Sequence, residues 1–364
     1  MSRTDDRRLV VATESTSLAA DGERLLRLVR WIQLADVRVE LLALSDGPDT
    51  EAFDAVVPTT VLRRLPGPVL GGVAAVAPAR VSQGLRGRAL RRWMSDRRGV
   101  DVLVHQARAA SVLRYGGGTS SIVAMLTGPS STLASLRPED HRTLSGAAGW
   151  LVTESEQAAE IAAELGSPCT VIGPMLHPSD LPAVTVAGAD GAVVMVPTPD
   201  TWSAVNHTVE VALALAAARP DTQLRWTVAS DEDEWLARHD VAHAGLEDRV
   251  QVVAERSHGV LDDVGAVVRT GYGTSPSPLV VAARLAGVPV TGFSVDASPT
   301  LGPSPELDVE HLVAATTAVL DPDERARRGV VPGAGFGPDP QEVVAELLGW
   351  FDSARSEQAR LSAP

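Results

Sequence analysis

Residues 264–292 read VGAVVRTGYGTSPSPLVVAARLAGVPVTG, and the fold turns on them. Ala266–Arg269 is a short apolar run suited to a buried parallel strand. Thr270–Pro278 carries Gly, Ser and Pro and reads as a loop. Leu279–Ala286 is apolar with good helix formers, and Gly287 stands where a helix stops. Val288–Thr291 begins the next strand. In a βαβ unit of this kind a ligand meets the loop at the carboxyl end of the strand, beside the helix N-terminus.

Outward from this stretch, the chain repeats the pattern. Leu9–Ala12 predicts a strand, Thr13–Asp21 a polar loop, Gly22–Gln33 an amphipathic helix and Val37–Leu44 a second strand. At 364 residues, 45% hydrophobic and 21% charged, the chain has the length and composition of two globular α/β domains. The expected division is 1–180, 181–340 and a C-terminal helix and tail at 341–364. Every cation other than histidine is Arg. Residues 1–182 balance 20 Arg against 20 Asp and Glu, whereas 183–364 set 12 Arg against 26, so the whole net charge of −14 lies in the second half. That surplus argues against nucleic acid as a partner and is an awkward field for a diphosphate without local cations. One cysteine, Cys169, excludes an internal disulfide and fits a reducing cytoplasm. The N-terminus has no apolar signal core, and no run reaches the ~18 apolar residues of a membrane helix.

Residues 264–292 resemble the donor-sugar loop of GT-B glycosyltransferases, family 4-like. Leu279, Val280, Ala283, Ala286, Gly287, Pro289 and Val290 fall on the family's apolar, glycine and proline positions. Gly22, Glu23 and Arg24 match the family's first helix start, GLEDRVQVV at 245–253 a helix end leading into a strand, and DPDERARRG at 321–329 a late helix. The resemblance implies two Rossmann-like βαβ domains facing a central cleft, with the last helix, Gln341–Phe351, packing back across both. It also implies a nucleotide-sugar donor as substrate and no metal.

The chemistry of the family is not kept at its usual positions. Its two loop glutamates become Thr274 and Ala282, and its phosphate-clamping Arg and Lys become Thr198 and Ser203. Arg256 and Arg269, at strand ends, are the expected replacements, with Gly22, Thr274, Ser275 and Ser277 as further donor-side residues. His105 ends the strand Val100–His105 and by this resemblance stands near the acceptor, a catalytic candidate together with Arg269; a satisfied strand-end histidine is the plainer reading. Thr127 replaces a family His, and Glu154 holds a family Glu position on the acceptor side. The triplet Asp231–Asp233 reads as a solvated helix start and not as a metal site.

Two functions follow. One is hexose transfer from a nucleotide sugar to a glycan or lipid-linked acceptor, in cell-envelope or exopolysaccharide synthesis. The other is an inactive relative that serves as a partner of another glycosyltransferase or as a glycan-binding subunit. Arg80–Arg98, rich in Arg with Trp93 and Met94, reads either as a solvated helix face or as a peripheral contact with the inner face of the plasma membrane.

Overall fold

The computed structural model describes residues 7–18, 22–62, 90–97, 99–112, 121–127, 133–188, 190–197, 207–270, 277–292, 308–328 and 338–362. The chain divides into two compact units, Met1–Met175 with Gly337–Pro364, and Leu176–Phe336. Each is a parallel sheet with helices on both faces, the arrangement that continuous apolar strands dictate.

The first unit contains β1 (Arg8–Ser15), α1 (Gly22–Leu34), β2 (Arg38–Ser45), α2 (Thr50–Asp54), β3 (Thr59–Val61), β4 (Asp101–His105), β5 (Ile122–Leu126), α3 (Pro138–Leu144), β6 (Gly149–Val152), α4 (Ser155–Leu165) and β7 (Cys169–Val171). The strand order is β3-β2-β1-β4-β5-β6-β7, all parallel. The order reverses between β1 and β4. The helix after β1 therefore packs on one face, with Leu25 and Leu28 against Val11 and Leu103. The turn after β4 packs on the other, with Ala109 and Ala110 against Val10 and Val104.

The second unit contains β8 (Ala192–Val196), α5 (Thr208–Ala218), β9 (Leu224–Val228), α6 (Asp231–His243), β10 (Val250–Ala254), β11 (Val264–Arg269), α7 (Pro278–Leu285), β12 (Val290–Gly292), α8 (Val309–Val319) and α9 (Pro322–Arg328). Its order is β10-β9-β8-β11-β12, with the reversal between β8 and β11. Residues 264–292 form the strand–helix–strand read from sequence. Asp231 starts α6, whose N-cap Ser230 accepts from the Asp233 N–H, so the acidic run is a helix start. Among the described residues no group of three His, Cys, Asp or Glu is placed to hold a metal ion.

The last helix, α10 (Pro340–Ser362), belongs to the first unit. Val343, Val344, Leu347 and Phe351 are buried in the core beside α1. Gly149 is needed where Trp350 crosses β6, since a Cβ there would lie 2.2 Å from the indole ring. Arg355 and Arg7 reach the buried Asp101 carboxylate at 3.3 and 3.5 Å. Burial pushes that carboxyl above the usual range, and the two guanidinium groups pull it back. The helix is thus tied by packing and by charge to the amino end of β4.

The basic stretch is described only from residue 90 onward apart from residue 98; Arg80, Arg86 and Arg88 lie outside the described residues. Residues 90–95 are helical, and Leu90, Trp93 and Met94 are buried in the core of the first unit. Arg97 lies over the Trp93 ring at 3.8 Å and donates to Glu40 at 2.7 Å. The aromatic and thioether groups that a membrane contact needs are therefore turned inward, which favours the solvated-face reading for this part. No helix among the described residues is long and apolar enough to cross a membrane.

Candidate functional site

A parallel sheet offers its ligand crevice at the carboxyl ends of the strands where the order reverses, because the flanking connections leave on opposite faces. Each unit has one such point.

In the first unit it lies between β1 and β4. Thr13, His105 and Thr127, on neighbouring strands, form a buried polar row. His105 Nδ1 meets Thr13 Oγ1 at 3.0 Å, and Nε2 meets Thr127 Oγ1 at 3.4 Å. His105 is 1% exposed. Burial first, and the Arg24 guanidinium second, push its pKa down to about 3. The ring is therefore neutral at ordinary pH, with both nitrogens engaged. The sequence placed a catalytic histidine here; the geometry gives a strut across three strands, and a ring so held is a poor proton carrier.

Gly22 begins α1, and Arg24 in its first turn is buried. A Cβ on Gly22 would lie 1.7 Å from the Ser17 carbonyl oxygen, so only glycine fits against that loop. Thr16 braces the same loop, accepting from the Gly47 N–H at 2.9 Å and meeting Thr50 Oγ1 at 2.6 Å. Gly22→Ala is expected to cost about 2 kcal/mol or more by forcing this contact apart. A lowered urea midpoint with unchanged slope is the check. Glu154 is the N-cap of α4, where Gln157 Oε1 accepts from the Thr153 and Glu154 N–H groups, each at 3.2 Å. Its backbone role is a helix start, and its side chain is half-buried. Cys169 is half-buried; burial, with Glu346 beside it, pushes its thiol up to about 11 and keeps it protonated.

In the second unit the reversal lies between β8 and β11. Arg269 ends β11 and is 8% exposed. Its register partner on β12 is Gly292, where a Cβ would come 2.8 Å from Arg269 Cβ. The absent side chain is what seats the arginine stem. Thr270 follows, fully buried, and its Oγ1 meets Thr208 Oγ1 at 2.6 Å. That bond fastens the start of α5 to the end of β11. Ser277 caps α7, accepting from the Val280 N–H at 3.4 Å. Ala282 is buried in one cluster with Val267 and Val194.

Arg256 stands exposed in the turn after β10. Among the described residues no hydrogen bond or ion pair ties it to this point. Thr198, Ser203, Thr274 and Ser275 lie outside the described residues. One pair escaped the sequence reading. His207, immediately before α5, meets Glu210 at 2.6 Å, Nδ1 to Oε2. The signal was a His-x-x-Glu spacing at a helix start, a pattern common enough to pass unremarked.

The chain matches solved structures over nearly its full length. Against the structure of Phytolacca americana UGT2 complexed with UDP-2fluoro-glucose and pterostilbene, the TM-score is 0.54 at 12% identity, covering 95% of this chain and 100% of that one. A glycosyltransferase from Rickettsia africae gives 0.56 at 11%, with 96% and 99% covered. This is a GT-B fold. A third match, the structure of accessory secretory proteins 1, 2 and 3 of Streptococcus pneumoniae, gives 0.62 at 10%, with 96% and 99% covered. No protein-family model and no curated protein sequence matches the chain. Identities this low speak for the GT-B architecture and not for its chemistry.

Proposed function

We propose that the protein is a glycosyltransferase that moves a hexose from a nucleoside-diphosphate sugar to a glycan or lipid-linked acceptor, from the cytoplasmic side of envelope or exopolysaccharide synthesis. The observation that carries the reading is Arg269. It is a nine-tenths-buried arginine on the carboxyl end of the strand at the reversal point of the second sheet, within a GT-B fold. Transfer leaves charge on a departing diphosphate, and a preorganised guanidinium there stabilises that charge. It answers the absence of the family's Arg and Lys at Thr198 and Ser203. The donor is a substrate, and no metal is assigned to its binding.

The acceptor side is assigned to the first unit. There Gly22 seats the loop after β1, Arg24 lies buried in the first turn of α1, and Glu154 and Thr127 lie at the ends of the next strands. His105 acts as a fixed wall and not as a base.

A second reading, an inactive relative that binds a partner glycosyltransferase or a glycan, draws on two observations. His105 at the first reversal point is held neutral with both nitrogens engaged. One match of the chain is the structure of accessory secretory proteins 1, 2 and 3 of Streptococcus pneumoniae.

Turnover separates the two. Release of nucleoside diphosphate from UDP- and GDP-sugars by the full chain is expected to fall at least about 100-fold in kcat/KM for Arg269→Ala, the scale of removing one preorganised donor. The variant's unfolding curve is expected to match the parent's. Binding of nucleotide with no turnover under any acceptor mixture favours the inactive relative.

A further inference from the structure

We propose that Glu14 and Arg108, at the reversal point of the first sheet, form the contact that reads adjacent hydroxyls of an uncharged sugar on the acceptor. The inference rests on the transferase reading and adds two residues that reading did not contain.

β1 and β4 are the strands whose connections part at this reversal. Glu14 is the next-to-last residue of β1, and Arg108 stands in the turn Ala107–Val112 that follows β4. Arg108 Nη1 donates to Glu14 Oε1 at 2.9 Å, so the two tips meet. Alternation along β1 puts Glu14 on the face of Val10 and Ala12, where Ala109 and Ala110 pack. The Thr13–His105 contact lies on the other face, that of Val11 and Leu103. The pair is therefore separate from the buried polar row. It bridges the two strands at the place where a parallel sheet takes its ligand.

Both stems are held and both tips are open. Ser45 Oγ donates to the Glu14 carbonyl at 2.9 Å. Ala109 and Ala110, next to Arg108, are fully buried, and the Ala109 N–H donates to the Gln106 carbonyl at 3.1 Å. Yet the Arg108 side chain is 69% exposed and that of Glu14 36%. Gln106, just before the turn, has φ 67°, a left-handed conformation that a residue other than glycine adopts at a cost. An ion pair this exposed adds little to stability, so the fold gains little from the arrangement. The chemistry of the pair selects its ligand. A carboxylate only accepts hydrogen bonds and a guanidinium only donates them. An anion would be opposed by Glu14, and a cation by Arg108. A hydroxyl both donates and accepts, so two hydroxyls on adjacent ring carbons satisfy both groups at once. One donates to Glu14 while its neighbour accepts from Arg108, whose five N–H groups leave donors beyond the one given to Glu14.

NMR titration of the full chain with the methyl glycosides of glucose, galactose and mannose, their monodeoxy forms and inorganic phosphate tests it. At least one glycoside is expected to bind. Arg108→Ala and Glu14→Gln should each weaken it about tenfold, with unfolding curves equal to the parent's. Removing one of the two adjacent hydroxyls from that glycoside should cost the parent a similar factor, and cost the Arg108→Ala, Glu14→Gln double variant nothing further. UDP affinity is expected to be the same in parent and variants, a split that a general loss of fold would not produce. Glycoside binding that weakens in both variants, in a chain that binds no nucleotide, sinks the transferase reading and leaves this assignment standing. The assignment is overturned by a parent that binds none of the glycosides, or by equal glycoside affinities in parent and variants. Phosphate held through Arg108 in place of any glycoside overturns it too, and makes the contact one for an anion.

Discussion

Phe351→Ala is expected to lower the stability of the first unit by about 3–5 kcal/mol, the usual cost of emptying a buried phenyl site. Phe351 is fully buried, and so are Val343 and Leu347 on the same helix. At about 1.5–3 kcal/mol for each large side chain, the apolar face of α10 contributes on the order of the whole stability of a domain. Removal of residues 340–362 is therefore expected to leave the first unit without a cooperative unfolding transition. Urea unfolding followed by tryptophan fluorescence reads both changes, since Trp150 is in the same unit and fully buried. A truncated chain that still unfolds cooperatively in two steps would show that α10 is an ornament of the fold.

The second large effect is on pH. His105 has a folded pKa of about 3 against 6.5 for the free side chain. The folded state therefore stays neutral where the unfolded state takes up a proton. Stability from this group is complete above pH 6.5 and is lost as pH falls toward 3. The loss is about 2 kcal/mol by pH 5 and about 3 by pH 4, with a limiting slope of about 1.4 kcal/mol per pH unit. Carboxylates titrate in the lower part of this window, so the decisive comparison is with His105→Asn. That variant is less stable at pH 7 because it gives up part of the Thr13–Thr127 bridge. Its stability should nevertheless change about 2 kcal/mol less between pH 7 and pH 5. Equal slopes for the two proteins would show that His105 is protonated when folded.

The sheets were legible in the sequence because buried parallel strands are short apolar runs bounded by Gly, Pro and polar clusters. Val264–Arg269 and Pro278–Leu285 show this directly. The interval after Phe53 was harder. The apolar residues of Ala55–Leu62 suggest a single strand on sequence grounds alone, but Ala55–Val57 form a turn closed by Phe53, and β3 spans only Thr59–Val61. Apolar content there serves the core, not the ladder. The helix after β8 reads from Asn206, and the structure begins it at Thr208, a shift that moves His207 to the cap.

The site was less legible than the fold, for a physical reason. Side-chain chemistry at a reversal point depends on contacts between residues far apart in the chain. Thr13 with His105, and Thr208 with Thr270, are separated by 92 and 62 positions. No local pattern announces them. His105 was found by its place at a strand end, but its neutrality comes from Thr13, Thr127, Arg24 and burial together. Gly292 carries no chemistry of its own, and its use appears only when Arg269 is seen leaning over it.

The central claim is that a GT-B fold grips a nucleoside diphosphate through Arg269 at the end of β11. The direct measurement is calorimetry of the full chain with UDP and GDP, beside Arg269→Ala of equal stability. The account predicts saturable binding to at least one of the two, weakened about tenfold or more in the variant. No heat from either nucleotide up to millimolar, or equal affinities for the two proteins, would contradict it.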